Sequence, residues 1–315
     1  MRDLRIVFMG TPDFAVATLT ALVQEGYRIV GVITAPDRPA GRGRKLRPSA
    51  VKQFALEKGL TLLQPTNLKN EEFLNELRSL QANLQVVVAF RMLPKQVWAM
   101  PEYGTFNLHA SLLPDYRGAA PINWAIINGD SKTGATTFFI DDKIDTGEII
   151  LQESTPIDPD DSAGTLHDRL MLLGAQLVLK TVGLIREDKV ETTPQDPSKA
   201  MRPARKIFTE TCRINWEIPL QENHNLIRGL SPYPVAWSNF INGSEEGRMK
   251  IYKTGIERVV HDIAIGQLVL EERTLKVAVK GGYLLLHEIQ LPGKRKMATK
   301  DLLNGYGIEK NARLV

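Results

Sequence analysis

Apolar positions along the chain recur with two periods. Leu4–Met9, Arg28–Thr34 and Leu84–Ala89 are short and largely apolar, which predicts buried strands. Between the first two, Asp13–Glu25 sets Phe14, Leu19, Leu22 and Val23 on one side, the spacing of a helix. A strand–helix–strand opening predicts a parallel sheet. Ser49 reads as the N-cap of a helix running to about Lys58. Asn70 reads as the cap of another, with Glu71 and Glu72 in its first turn. Thr61–Leu63 is a short strand between them. Thr105–His109 alternates as a half-buried strand does, so Asn107 and His109 project side by side from one face. The chain then breaks. Pro114 holds Leu113 extended, Gly118 permits a tight turn and Pro121 suits the first turn of a new helix. Strands at Gly134–Ile140 and Glu148–Glu153 and a long helix at Thr165–Ile185 follow.

Residues 190–205 are rich in Pro, Thr and charge and read as a linker. Beyond it the texture changes. Ala236–Ile241, Lys250–Lys253, Leu275–Ala278 and Tyr283–Leu286 are short alternating runs bounded by Gly or Pro, as in a small antiparallel barrel or sandwich. The expectation is an α/β domain over 1–189 and a second domain over 206–315.

Residues 35–48 interrupt this pattern. Their prolines and glycines predict a long irregular loop, without a hydrogen-bond ladder and mobile. It carries Arg38, Arg42, Arg44, Lys45 and Arg47 with no acidic residue from 38 to 47. It follows the second strand of a parallel sheet, at the edge where ligands bind.

Composition narrows the class. A length of 315 residues, 43% of them hydrophobic, suits a folded protein of about two domains, and no run is long enough to span a membrane. The N-terminal apolar run is too short for a secretory signal. Cys212 is the only cysteine, so no internal disulfide is possible and a reducing cytoplasm is expected. Acidic and basic residues balance over 1–205, so the whole net charge of +4 falls in 206–315. That placement points weakly to an anionic partner.

Candidate chemistry gathers after the strand at 105–109. A lone strand histidine is more often a satisfied core group. Here Asn107 shares its face and a Pro/Gly loop opens directly after it. Asn offers an N–H donor to a developing oxyanion, and His can move a proton near neutrality. Asp145, in Asp-Thr-Gly147, is the third candidate, suited to orient the histidine or tune it. Asp141 and Asp142 lie close by, but their spacing fits no metal-ligand pattern and a solvated acidic turn is the better reading. The turn after Gly10 is not G-x-G-x-x-G, so no dinucleotide is inferred.

Four blocks taken together are more specific than any one. Asn107-Leu-His109, Ser111-Leu-Leu-Pro114, Arg117-Gly-Ala-Ala-Pro-Ile122 and Asp145-Thr-Gly147, in this order and spacing, resemble the signature of the folate-dependent formyltransferases. Phe8–Phe14, Ala35–Gly43, Arg213–Trp216 and Leu302–Gly305 extend the resemblance essentially end to end. It implies a Rossmann-like α/β formyltransferase domain with a mostly parallel sheet, followed by a small OB-like β-barrel domain that binds tRNA. It implies transfer of the formyl group of 10-formyltetrahydrofolate, a cosubstrate, to the α-amine of initiator methionyl-tRNA for translation initiation. The catalytic trio falls on Asn107, His109 and Asp145. The folate falls against Phe90, Met92, Leu93, Ser111, Leu112, Leu113, Pro114, Ile140 and Asp142. The tRNA falls against Arg38, Arg42, Arg44, Lys45, Arg47 and Lys206. The resemblance further implies a cytoplasmic monomer without a metal. One departure is Arg91, where a small residue is expected beside the folate. Two alternatives remain: a formyltransferase acting on glycinamide ribonucleotide or an amino sugar nucleotide, and a non-catalytic RNA-binding protein.

Overall fold

The alternation of strands and helices in the first half builds a seven-stranded sheet. The computed structural model describes residues 1–40 and 45–315. In chain order the elements are β1 (Arg5–Gly10), α1 (Asp13–Gln24), β2 (Arg28–Ile33), β3 (Arg38–Ala40), β4 (Lys45–Arg47), α2 (Ala50–Glu57), β5 (Leu62–Leu63), α3 (Glu71–Ser79), β6 (Leu84–Val88), α4 (Lys95–Trp98), β7 (Thr105–His109), α5 (Pro121–Ile127), β8 (Lys132–Phe139), β9 (Ile149–Pro156) and α6 (Ala163–Glu187). The sheet order is β5-β2-β1-β6-β7-β8-β9. β1 pairs in parallel with β2 and β6, and β6 with β7. β8 runs antiparallel to β7. Strand order reverses between β1 and β6, and in such sheets ligands bind outside the carboxyl ends at that reversal.

The caps are local chemistry. Ser49 Oγ accepts from Lys52 N at 3.0 Å, and Asn70 Oδ1 accepts from Glu72 N and Phe73 N. Each satisfies an amide that the first helical turn leaves unpaired. Val7, Met9, Ile33 and Val87 point to one sheet face and join Phe73, Leu74, Leu77, Leu93 and Val97 in a core. Asn107 stands opposite Val87 in register, so the candidate residues rise from this same face. Leu108 points the other way, and Gly174 of α6 lies so close to it that a Cβ there would come within 2.7 Å.

Residues 35–48 differ from expectation. β3 and β4 pair antiparallel, Arg38 with Arg47 and Pro39 with Leu46. A two-stranded ribbon turns half its N–H groups outward, so a proline at such a position removes no ladder bond. The prolines therefore do not forbid a hairpin. Its base is tied down: Asp37 accepts from Lys52 Nζ at 2.7 Å and Gln64 Nε2 at 3.1 Å.

The chain divides into two compact units. One holds residues 1–118, 133–156 and 167–203, and the other 119–132, 157–166 and 204–315. In the second unit, α7 (Leu220–Leu230) precedes β10 (Ala236–Asn242), β11 (Glu245–Glu257), β12 (Leu268–Glu271), β13 (Thr274–Val279), β14 (Gly282–Gln290), β15 (Met297–Ala298), α8 (Thr299–Leu302) and β16 (Arg313–Leu314). The strands form one antiparallel sheet, β12-β13-β14-β11-β10-β16. Its ends meet: Leu314 N donates to Gly266 O at 2.8 Å and Leu268 N to Ala312 O at 2.9 Å. This link brings the sheet round into a nearly closed, OB-like barrel. Trp216, Phe240, Met249, Ile251, Val277 and Ile289 fill its core. α7 has no counterpart in the sequence reading. It packs on α5, where Asn123 Nδ2 donates to Gly229 O at 2.7 Å.

Candidate active site

β7 delivers His109 and Asn107 to the carboxyl edge of the sheet. His109 is 6% exposed. Its Nε2 lies 2.8 Å from the carbonyl oxygen of Tyr116, and its Nδ1 lies 3.8 Å from Asp145 Oδ2. A carbonyl can only accept, so Nε2 carries the hydrogen and the lone pair of the neutral ring sits on Nδ1. Nδ1 is the nitrogen that takes up a proton, and the carboxylate beside it then faces an imidazolium. Asn107 is half-buried, and among the described residues its amide makes no hydrogen bond. Its N–H group is free to meet a developing oxyanion.

Asp145 is placed by backbone geometry on both sides. Its φ is +54°, in the left-handed region that a few per cent of non-glycine residues occupy, Asp among the commonest. Its Oδ2 accepts from Gly118 N at 2.8 Å. Gly118 itself is at φ +125°, a conformation closed to most L-residues. Two residues after Asp145, a Cβ on Gly147 would lie 1.6 Å from the carbonyl oxygen of Phe139. Only glycine lets the turn pass the end of β8 so closely.

The loop between His109 and Gly118 is internally fastened. Ser111 is fully buried, and its Oγ donates to Asp115 O at 2.7 Å. Thr136, opposite His109 on β8, donates to Ser111 O and accepts from Leu113 N. Gln152 Nε2 donates to Leu113 O at 2.8 Å. The Leu113–Pro114 peptide is cis.

A family model described as formyl transferase matches residues 4–182, and one described as formyl transferase, C-terminal domain, matches residues 206–307. This chain belongs to the formyl transferase family. A methionyl-tRNA formyltransferase of Flavobacterium psychrophilum is 56% identical over 306 residues, covering 97% of each chain. One from Bacteroides fragilis is 54% identical over 309 residues, covering 96% of this chain and 95% of its own. Among solved structures, the N-formyltransferase from Helicobacter canadensis, in complex with folinic acid and dTDP-3-aminofucose, matches with a TM-score of 0.67 at 21% identity, over 93% of this chain and 100% of that one. WlaRD, a sugar 3N-formyl transferase solved in the presence of dTDP and 5-N-formyl-THF, matches with a TM-score of 0.65 at 22% identity, over 94% of this chain and 100% of its own. At these identities the structural likeness is one of fold.

The remaining predicted residues of this formyl transferase are dispersed. Phe90, Leu93 and Ile140 all join the hydrophobic cluster on this sheet face, but Phe90 and Leu93 follow the carboxyl end of β6, whereas Ile140 N donates to Thr105 O at the amino end of β7. Met92 is 68% exposed and Asp142 is also exposed. Leu113 is buried, and Leu112 leans on Gly134 of β8. Arg91 turns its guanidinium to the carbonyl oxygens of Thr66, at 2.9 Å, and Pro65. Burial and the charge of Arg38 lower its pKa from the usual arginine value. Arg38 and Arg47 are exposed on the hairpin. Arg42, Arg44 and the side chain of Lys45 lie outside the described residues. In the other unit Lys206 is exposed, its Nζ 5.5 Å from the Phe208 ring. Among the described residues no group of three or more His, Cys, Asp or Glu side chains could hold a metal ion, and no helix is long and apolar enough to cross a membrane.

Sequence reasoning missed two residues with direct contacts to the trio. The Tyr116 carbonyl fixes the histidine tautomer, and Gln195 bonds to the Asp145 backbone. A backbone acceptor leaves no trace in residue type, and Gln195 lies in a stretch that reads only as linker.

Proposed function

We propose that this chain is a methionyl-tRNA formyltransferase. It transfers the formyl group of 10-formyltetrahydrofolate to the α-amine of initiator methionyl-tRNA, as a cytoplasmic monomer. The observation that carries the reading is the arrangement of His109, Asp145 and Asn107 in a chain more than half identical, end to end, to relatives bearing that name.

The chemistry follows from the groups. An α-amine has a reference pKa of about 7.7–8.0, so much of it is protonated at neutral pH and must shed a proton to attack. The amine nitrogen bonds to the formyl carbon, whose oxygen gains negative charge and is met by the Asn107 amide. His109 Nδ1 takes the amine proton, and Asp145 stabilises the imidazolium. The C–N bond to the folate then breaks, and the proton passes from the imidazolium to the departing folate nitrogen. Acceptor amide and tetrahydrofolate are the products, and His109 is neutral again.

Phe90 and Leu93 supply an apolar wall for the donor's ring system, and Ile140 borders it on the reading from resemblance. Met92, Ser111, Leu112, Leu113, Pro114 and Asp142 border it on the reading from resemblance. The basic stretch 38–47, with Arg38, Arg42, Arg44, Lys45 and Arg47, takes the tRNA phosphates and acceptor end, and Lys206 and the barrel domain also bind the tRNA. The deciding experiment supplies purified protein with 10-formyltetrahydrofolate and, in separate reactions, charged initiator tRNA, glycinamide ribonucleotide and an amino sugar nucleotide. Formylation of the charged tRNA is expected. Turnover of another acceptor in its place refutes the assignment.

A further inference from the structure

Asp145 occupies a backbone conformation that costs an L-residue energy and persists only where the surroundings hold it. Part of that hold comes from far along the chain. Gln195 Nε2 donates to Asp145 O at 3.0 Å and to Gly147 O at 2.8 Å. Its Oε1 accepts from Arg117 Nε at 3.1 Å and Nη2 at 2.7 Å. Both hydrogens and both lone pairs of one amide are thereby used. Arg117 immediately precedes Gly118, whose N–H holds the Asp145 carboxylate. One side chain thus ties together the two loops that supply the two ends of the Gly118–Asp145 bond.

The segment carrying Gln195 is itself anchored to the first of those loops. Asp115 accepts from Met201 N and Arg202 N and pairs with the Arg202 guanidinium at 3.1 Å. Tyr116 N donates to Arg202 O at 2.6 Å. The same Tyr116 carbonyl fixes the His109 tautomer. Residues 195–202 therefore brace the backbone on both sides of the histidine–aspartate contact.

We propose that Gln195 is a positioning residue, setting the place of Asp145 and through it the proton-accepting nitrogen of His109. The inference rests on the reaction assigned above. Gln195 touches no reacting atom. It holds the carboxylate where an imidazolium will form, and displacements on the scale of 1 Å in such sites cost on the order of 100-fold in rate.

The test uses the full-length protein with Gln195→Met and Gln195→Glu. Methionine keeps the length and lacks donors. Glutamate keeps the Arg117 contact but presents only acceptors to the two carbonyl oxygens. For both, kcat is expected to fall by about 10- to 100-fold, with KM for folate and for charged tRNA, and the melting temperature, near those of the parent. Parent-like kcat in the Met variant overturns the proposal, as does a rise in KM matching the fall in kcat together with a lowered melting temperature. Should the Met variant fold poorly, the Glu variant decides by the same criteria, since it keeps the Arg117 anchor. A parent protein that does not formylate methionyl-tRNA refutes the assigned reaction. An active parent with equally active variants refutes only the role of Gln195.

Discussion

His109 Nδ1 and Asp145 Oδ2 stand 3.8 Å apart, too far for a hydrogen bond and close enough for an ion pair once the ring is protonated. The contact is poised for the charged form of the histidine. That makes the pair asymmetric under mutation. Asp145→Asn keeps the shape and removes the stabilising charge, whereas His109→Ala removes the base itself. His109→Ala is expected to lower kcat by about 100- to 10,000-fold, the usual worth of a positioned general base. Asp145→Asn should lie below the parent and above His109→Ala. Single-turnover formylation rates check the order, and near-parent turnover in either variant excludes that residue from the mechanism.

Asn107→Ala tests the oxyanion role. Removing one such donor costs roughly 100- to 1000-fold in kcat. Because the amide makes no other hydrogen bond among the described residues, stability should be unchanged. A fall in melting temperature that accounts for the lost activity would argue that the amide is structural.

Gly147→Ala places a methyl group 1.6 Å from a backbone oxygen, which no rotamer change relieves. The turn must move and carry Asp145 with it. Activity is expected to be lost to about the same degree as in Asp145→Ala, because both remove the carboxylate from His109. Comparing the two rates settles it: a Gly147→Ala variant with parental activity would mean the turn tolerates the shift.

In the barrel domain His224 is held neutral. Burial first, and the Arg228 charge second, push its pKa down to about 4. His287 and Arg258 act in the same direction and Asp160 opposes them. Nδ1 lies 2.9 Å from Thr254 Oγ1. The unfolded chain takes up a proton near pH 6.5 and the folded one only near pH 4. The stability that neutral His224 confers is thus complete above about pH 6.5 and is lost as pH falls toward 4. The melting temperature should drop across that window, and His224→Gln should flatten the drop. Parallel curves for parent and variant would remove His224 as its source.

For the basic stretch 38–47, Arg38→Ala, Arg42→Ala and Arg47→Ala should each weaken tRNA binding and reduce the log–log salt slope by about one unit. Arg42→Lys keeps the charge but lacks the guanidinium fork. Formylation should fall in that variant with an unchanged slope. If Arg42→Lys matches the parent at every salt concentration, Arg42 acts by charge alone.

Much of the architecture was legible because it is written in local patterns. The alternation in Thr105–His109 located β7 and its polar face, and Ser49 and Asn70 marked helix starts that their side-chain oxygens do cap. The pairing of β3 with β4 was not legible, because prolines that forbid a central strand are harmless in a two-stranded ribbon. α7 was hidden by Gln221-Glu-Asn-His-Asn225, a polar run with apolar residues only at its ends. Its buried asparagines find partners such as the Ile218 carbonyl. The site was legible in part. Spacing put Asn107 beside His109, but nothing local announces that Asp145, in a separate loop, returns to His109. Residue type alone offered Asp145 as a group to orient the histidine, and the order and spacing of the four blocks made that choice specific. Gln195 could not be found, since its partners lie in loops far earlier in the chain.

Asn123 of α5 donates to Gly229 of α7, 106 residues later. During synthesis α5 emerges long before the helix against which Asn123 and Ile127 pack. At roughly 5–20 residues per second the interval is on the order of 5–20 s. Throughout it the strand bearing His109 is already made, while the helix that follows it still lacks its partner. A nascent chain arrested before residue 220 therefore leaves the side of α5 that meets Gly229 uncovered, and synthesis of α7 is what covers it.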